Sequence, residues 1–352
     1  MRKIQLTLAL FALTTLATAQ SFEEVLLGGT TDASKYFKSY FTPVFNGLSY
    51  NLGQGWYTSA KTHKKFGFDI TVSLAAARPP VAAETFAFNA ADYNFMSVKS
   101  GSTILPTAVG GNTTSIMQVD LPYDSDNDGI NDDVLHAEFD AVKGIKQDLI
   151  DAGAPFTAVP SPMAQIGFGL GNTDLSLRYM PNLAKDGVEV KLFGLAIKHD
   201  LMHYFKKDEK SGKKGMFNLS ALIGYTKLSS SVTPQSSSIP GLNQNTAISI
   251  TNFNVEAIGG INLKIINFYG SIGYTSGKTN FAINGDYDLS YTDNANNTIT
   301  KTITNPMNID FNASSMKTTI GARLNLTVLK IFASYTMQKY NSFNAGIAIS
   351  IR

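Results

Sequence analysis

Apolar side chains occupy alternate positions along most of the second half of the chain. Phe253, Val255, Ala257, Ile261, Leu263 and Ile265 alternate with Asn252, Asn254, Glu256, Asn262 and Lys264. Met316, Ile320, Ala322, Leu324, Leu326 and Val328 alternate with Lys317, Thr319, Arg323, Asn325 and Thr327. Phe343, Ala345, Ile347, Ile349 and Ile351 close the series. A period of two describes strands with one apolar and one polar face. The pattern predicts strands at about 164–170, 173–180, 187–199, 216–228, 247–264, 266–282, 308–328, 331–339 and 343–351, and an earlier one at 66–76. That makes ten, and weaker signals at 85–88 and 114–119 would make twelve. Parity slips by one near Leu192 and Phe193, which predicts a bulge there.

Before the strands, Arg2 and Lys3 precede an apolar stretch that ends in Ala17-Thr18-Ala19. This has the form of a secretory signal over residues 1–19. Beyond it no run reaches the roughly 18 apolar residues of a spanning helix. An exported chain with many long two-faced strands has one membrane solution, a closed barrel. The expectation is an all-β fold: an antiparallel transmembrane β-barrel of 10–14 strands with a short helical N-terminal plug. Residues 20–62 form the plug and 63–352 the barrel, with an extracellular insertion at about 77–163. The rival is a secreted β-sandwich, but strands of 13 or more residues run long for one.

Composition agrees with a barrel. Charged residues make up 16% of the chain, below the quarter usual in soluble domains, and there are 29 glycines, 22 phenylalanines and 15 tyrosines. Cysteine is absent, which excludes disulfides and thiolate metal sites. Net charge of +2 and no basic cluster give no sign of nucleic acid as a partner.

The connectors sort by length. With both termini in the periplasm, those near 181–186, 229–246, 283–307 and 340–342 fall outside the cell. Those near 171–172, 200–215, 265 and 329–330 fall inside. The longest are outside, as in outer-membrane barrels.

In the N-terminal zone Asp32 is placed to cap a helix that carries Tyr36, Phe37, Tyr40 and Phe41, with Pro43 breaking it before a second short turn. This aromatic stripe either packs on the rest of the protein or plugs the barrel mouth. A second helix is predicted over 134–152 from the spacing of Leu135, Phe139, Val142, Ile145, Leu149 and Ile150.

Candidate chemistry is sparse. Asp124, Asp126 and Asp128 followed by Gly129 have the spacing of a calcium loop, with the Ile130 carbonyl and Asp132 or Asp133 as later ligands. A structural Ca2+ is the one cofactor expected; the bland alternative is a solvated acidic loop. His199 and His203 lie at a strand end, where a spacing of four does not converge on zinc. Asp69, Asp174, Arg178, Glu189, Lys191, Glu256, Lys264, Lys317 and Arg323 fall on polar faces, where they line a lumen or pair across the wall. No nucleophile or phosphate-loop motif is present, and no enzyme is expected.

Three blocks carry a resemblance: Asn51-Leu52-Gly53-Gln54-Gly55-Trp56-Tyr57 through His63; Gly169-Leu170-Gly171-Asn172-Thr173-Asp174-Leu175 through Pro181; and Phe193-Gly194-Leu195-Ala196-Ile197-Lys198-His199-Asp200. With them the mature chain resembles an uncharacterised family of Bacteroidota outer-membrane barrels. More faintly, the helix ahead of a barrel resembles the long-chain fatty-acid transporters. The resemblance implies a monomer in the outer membrane of a Gram-negative bacterium, with lipid around it and passive uptake or handling of small, possibly hydrophobic cargo. The alternative is a structural or adhesive surface protein acting through external loops. The chain departs from such barrels in ending Ile351-Arg352 rather than on an aromatic residue.

Overall fold

Ten strands close on themselves in the computed structural model, which describes residues 24–151, 157–185, 187–205, 216–234, 239–263 and 265–351. Residues 1–19, read as the export signal, and Lys264 lie outside the described residues. In chain order the wall strands are β1 (Phe68–Ala77), β7 (Val159–Gly169), β8 (Thr173–Lys185), β9 (Val188–Asp200), β10 (Phe217–Val232), β11 (Asn245–Asn262), β12 (Ile266–Asn284), β15 (Met307–Leu326), β16 (Leu329–Met337) and β17 (Ser342–Ile351). Their order around the barrel is β1-β17-β16-β15-β12-β11-β10-β9-β8-β7, antiparallel throughout. Closure gives each wall strand two neighbours and leaves no edge strand, as a sheet in lipid requires.

One row of β15 marks where the surroundings change. Asn308, Asp310, Asn312 and Ser314 face outward, and from Met316 onward the same face carries Ile320, Ala322, Leu324 and Leu326. The inner face inverts at the same level, from Met307, Ile309, Phe311 and Ala313 to Lys317, Thr319 and Arg323. The outward face of β12 changes between Tyr274 and Ser276, that of β10 between Tyr225 and Lys227, and that of β9 between Phe193 and Lys191. Met316 to Leu326 spans about 34 Å along the strand, or about 26 Å across a barrel tilted by roughly 40°. That matches the apolar band of about 25 Å on transmembrane barrels. Tyr179, Phe193, Tyr225, Phe253, Tyr274, Tyr335 and Phe343 edge the band on one side; Phe66, Phe168, Phe217 and Phe268 edge it on the other. The protein is a transmembrane β-barrel.

Beyond the band, at the end with the long connectors, the strands run on with a dry inside and a wet outside. There β3 (Met96–Ser100), β5 (Ile116–Tyr123), β6 (Asp133–Asp140), β13 (Asp286–Thr292) and β14 (Thr298–Thr304) form a second sheet, ordered β14-β13-β6-β5-β3. β2 (Thr85–Ala87) and β4 (Ile104–Pro106) pair beside it. The two doubtful strands near 85–88 and 114–119 thus belong to this outer unit and not to the wall. The expected loop at 283–307 contains the β13–β14 hairpin. The helix predicted over 134–152 is instead β6 followed by one short helix, α2 (Lys146–Asp151). Leu135 and Phe139 are buried on one face of β6 with Ala137 between them, so a spacing of four was a strand with a small residue in the middle.

The N-terminal helix α1 (Gly29–Leu52) is continuous, with Pro43 inside it. An interior proline costs about 3 kcal/mol, and burial along the helix offsets it: Tyr40, Phe45 and Leu48 are all in the core. Asp32 lies in the first turn but does not cap it. Its carboxylate accepts the backbone N–H groups of Asn94, Phe95 and Met96 at 2.7–3.1 Å, which fastens the helix to β3. The predicted bulge is also displaced. Burial alternates cleanly through β9, and the register shifts on β8, between Met180 and Leu183. Leu192 reads as a slip because it faces inward into a dry core with Ile250, Phe281 and Phe311.

Candidate functional site: the threaded lumen

Past Leu52 the chain runs down the inside of the barrel to its short-turn end. Gly53 lies against Thr275 and Asn252, Gly55 against Asn344 and Ser73, and Ala60 against Gly260. The Phe66 N–H then donates to the Gly169 carbonyl at 2.8 Å, and β1 begins. Residue 24 therefore lies at the long-connector end and β1 starts at the other. The expectation of both termini at the short-turn end is not met by the first described residues, because residues 53–63 cross the lumen before the first strand.

A helix that ends inside a barrel leaves carbonyls without intrahelical partners. Two inward cations supply them. Arg178 on β8 donates to the carbonyls of Leu52 (2.8 Å) and Gln54 and to the Gln165 side chain (3.2 Å), and its guanidinium stacks 3.5 Å from the Trp56 ring centre. Lys317 on β15 donates to the Gly53 carbonyl at 3.0 Å and pairs with Glu256 at 2.9 Å. Positive charge at a helix C-terminus is also favoured by the helix dipole. Glu256 accepts from Tyr57 (2.7 Å), Ser271 (2.6 Å) and Asn254 (2.6 Å), so the buried carboxylate is fully bonded. Trp56 sits between Gly194 and Gly224; a Cβ at either would come within 3.0 Å of the indole, so glycine is required by close approach.

Nearer the short-turn end, His63 stands between two carboxylates. Its Nε2 is 2.9 Å from Asp69 Oδ2. Its Nδ1 is 3.1 Å from Asp174 Oδ2, at an angle that makes no hydrogen bond. Asp174 also accepts the His63 backbone N–H at 2.9 Å and pairs with Lys198 at 3.0 Å. Arg323 donates to Thr58 Oγ1 at 3.0 Å. Together these residues line a cavity of about 170 Å3.

Six of the eight described residues read as facing the lumen do so, and what they grip is mainly the chain's own residues 52–63; Glu189 and Lys191 on β9 face outward instead, because beyond the apolar band the wall is wet outside and dry within. Sequence reasoning placed the face but missed this partner, as well as His63, Lys198 and Trp56. The repeated inward glycines Gly194 and Gly224, flanking a lone tryptophan, were the available signal. The expected plug residues Tyr36, Phe37, Tyr40 and Phe41 lie at the long-connector mouth. Phe37 and Phe41 contact Phe281, Tyr36 meets Phe86 edge-on, and Tyr40 donates to the Lys143 carbonyl. They seal the mouth against the outer unit, and the lumen is filled by the residues that follow.

In the acidic loop, carboxylate oxygens of Asp124, Asp126 and Asp128 lie within 4.8 Å of one another. Asp124 accepts the Gly129 N–H at 2.8 Å, which curls the loop. Asp132 is turned to the Ser125 N–H and hydroxyl, both 2.9 Å, which hold its carboxyl below the usual range. Asp133 accepts from Asn294 and from the Val134 N–H, and the Ile130 side chain is exposed. Three of the six candidate ligands are thus gathered, and Asp132 and Asp133 have other partners.

No curated protein matches the chain. Among solved structures it is similar to the attachment invasion locus protein Ail of Yersinia pestis, at 9% identity and a TM-score of 0.28 over 82% of this chain and 99% of that chain. It is similar to the outer membrane protease OmpT from Escherichia coli at 10% and 0.27, over 83% and 100%. It is similar to the transport unit of the autotransporter AIDA-I from Escherichia coli at 8% and 0.28, over 88% and 99%. Scores this low support no inference about activity. One family model matches residues 1–351, and the chain belongs to that family, described as a family of unknown function (DUF6588).

Proposed function

We propose that this chain is a plugged barrel of the Gram-negative outer membrane, exported by residues 1–19, that holds a folded β unit at the cell surface for a structural or adhesive role. The observation that carries the reading is the thread. Residues 53–63 run through the lumen bonded to the wall, while α1 and the outer sheet close the long-connector mouth. A lumen so filled is a poor pore, whereas the outer unit shares one continuous apolar core with α1 and the barrel mouth, which holds it in place there. The long connectors then face outward, and residues 78–151 with the β13–β14 hairpin are the surface unit. The loop at 124–133 would bind Ca2+ from outside, which relieves repulsion among three gathered carboxylates.

The chain has no cysteine, so Ser125→Cys gives a unique label. On intact cells a membrane-impermeant maleimide should react with it; reaction only after permeabilisation would overturn the orientation. Cells carrying the chain should adhere to an immobilised polymer better than empty-vector cells, with EDTA or Asp126→Asn reducing adhesion. Equal adhesion across a panel of host and cell-wall polymers would count against the adhesive role.

A second reading, uptake of small hydrophobic molecules, has one feature in its favour. The β7–β8 ladder stops at the Gln165–Arg178 pair, so toward the long-connector end the two strands part. Pro160 and Pro162 there cannot donate to a ladder. In this reading hydrophobic cargo leaves sideways between β7 and β8. A faster cellular uptake of a long-chain fatty acid than of a polar solute of similar size would favour it.

A further inference from the structure

We propose that the short-turn mouth of the barrel binds a small oxyanion, a phosphate or carboxylate, between β15–β16 and the descending thread. The cavity there is lined by five cations, Lys61, Lys64, Lys198, Arg323 and Lys330, against two carboxylates, Asp69 and Asp174. Both carboxylates are already engaged. Asp69 is bonded to His63, and Asp174 to His63 and Lys198. Lys198 is further held by the carbonyls of Ser59 (3.3 Å) and Lys61 (3.0 Å), so it is committed to the thread.

Of the other four, Arg323 and Lys330 project from the wall strands β15 and β16, while Lys61 and Lys64 belong to the thread. Arg323 donates to Thr58 and, with the Asn267 amide oriented to satisfy both of its ends, to Asn267 at 2.6 Å; no carboxylate lies in ion-pair reach among the described residues. Lys330, half-buried on β16, makes no hydrogen bond or ion pair among the described residues. A partly desolvated cation without a counter-ion is costly. Two of them on one wall of a polar cavity are a ready seat for an anion, and the hydroxyls of Thr71, Ser176 and Ser350 in the same lining can donate to its remaining oxygens. The cavity holds an inorganic anion with several waters, or a small monoester or carboxylate, but is smaller than the roughly 300 Å3 typical of drug-sized ligands. This inference concerns the short-turn end and stands apart from any surface role of the outer unit.

The test uses the full chain refolded in neutral detergent, with inorganic phosphate, glycerol phosphate and acetate titrated against sodium chloride of equal ionic strength. Phosphorus NMR line width and the thermal unfolding midpoint are the readouts. Phosphate should bind saturably and raise the midpoint, and chloride should do neither. Comparison of the arms separates free phosphate, a monoester and a carboxylate as the preferred form. Lys330→Met should weaken binding by about tenfold, the worth of one charge-assisted hydrogen bond. Lys278→Met, on the outer face, should bind as the unsubstituted chain does. Should Lys330→Met fail to fold, Lys330→Gln serves in its place. A response to phosphate no greater than to chloride, or unchanged binding after loss of Lys330, would overturn the site.

Discussion

Arg178 and Lys317 are fully buried cations in the wall of a membrane protein, and such groups survive only with every donor engaged. Their partners are carbonyls at the end of α1, so each substitution should disturb the thread as well as the wall. Lys317→Met leaves Glu256 buried without its counter-charge and should cost about 3–5 kcal/mol. The double variant Glu256→Gln/Lys317→Met should recover much of that, because no lone charge remains. Urea unfolding of the refolded protein, followed by the heat-modifiable gel shift, measures both. Trp56 is the single tryptophan, so its fluorescence reports the thread alone. In the folded chain acrylamide should quench it weakly. Gly224→Leu, which places a side chain where the indole lies, should expose Trp56 and increase quenching.

At the scale of elements, wall strands were legible because lipid on one side and a polar lumen on the other enforce a period of two over ten or more residues. Reading failed where that contrast was lost. β6 lies in the outer unit and is buried by aromatic and aliphatic neighbours, so Leu135 and Phe139 imitated a helix. Leu192 faces inward but into a dry mouth, so it imitated a slip in register. Pro43 signalled a break that packing of α1 overrides. The inward charges could be seen from the sequence, but not what they bind, since a carbonyl at a helix end leaves no residue-type signature. The outer sheet also makes a pH prediction. His136 on β6 has its Nδ1 2.7 Å from Asp120 on β5, and that bond, with Asn294 on the other nitrogen, raises its pKa above 6.5. The bond's contribution is complete below pH 6.5 and fades as pH rises through the folded pKa. NMR titration of His136 should give a midpoint above 6.5, and Asp120→Asn should lower it. A midpoint unmoved by Asp120→Asn would remove Asp120 as the cause.

For the whole molecule, two inversions of polarity at one level divide the chain into a part solvated by lipid and a part solvated by water. Below the aromatic girdle the barrel is apolar outside and polar within; above it the order reverses, and α1 passes from one regime to the other. The apolar band predicts that the protein stays with membranes through a carbonate wash, while a water-soluble fold would be released. The central claim is that residues 53–63 occupy the lumen of that membrane-embedded barrel. Electrical recording of the full-length protein, inserted in a planar lipid bilayer and verified as folded by its gel shift, tests this most directly. The thread predicts insertion without stable conducting steps; long-lived, ion-conducting openings of the unmodified chain would contradict it.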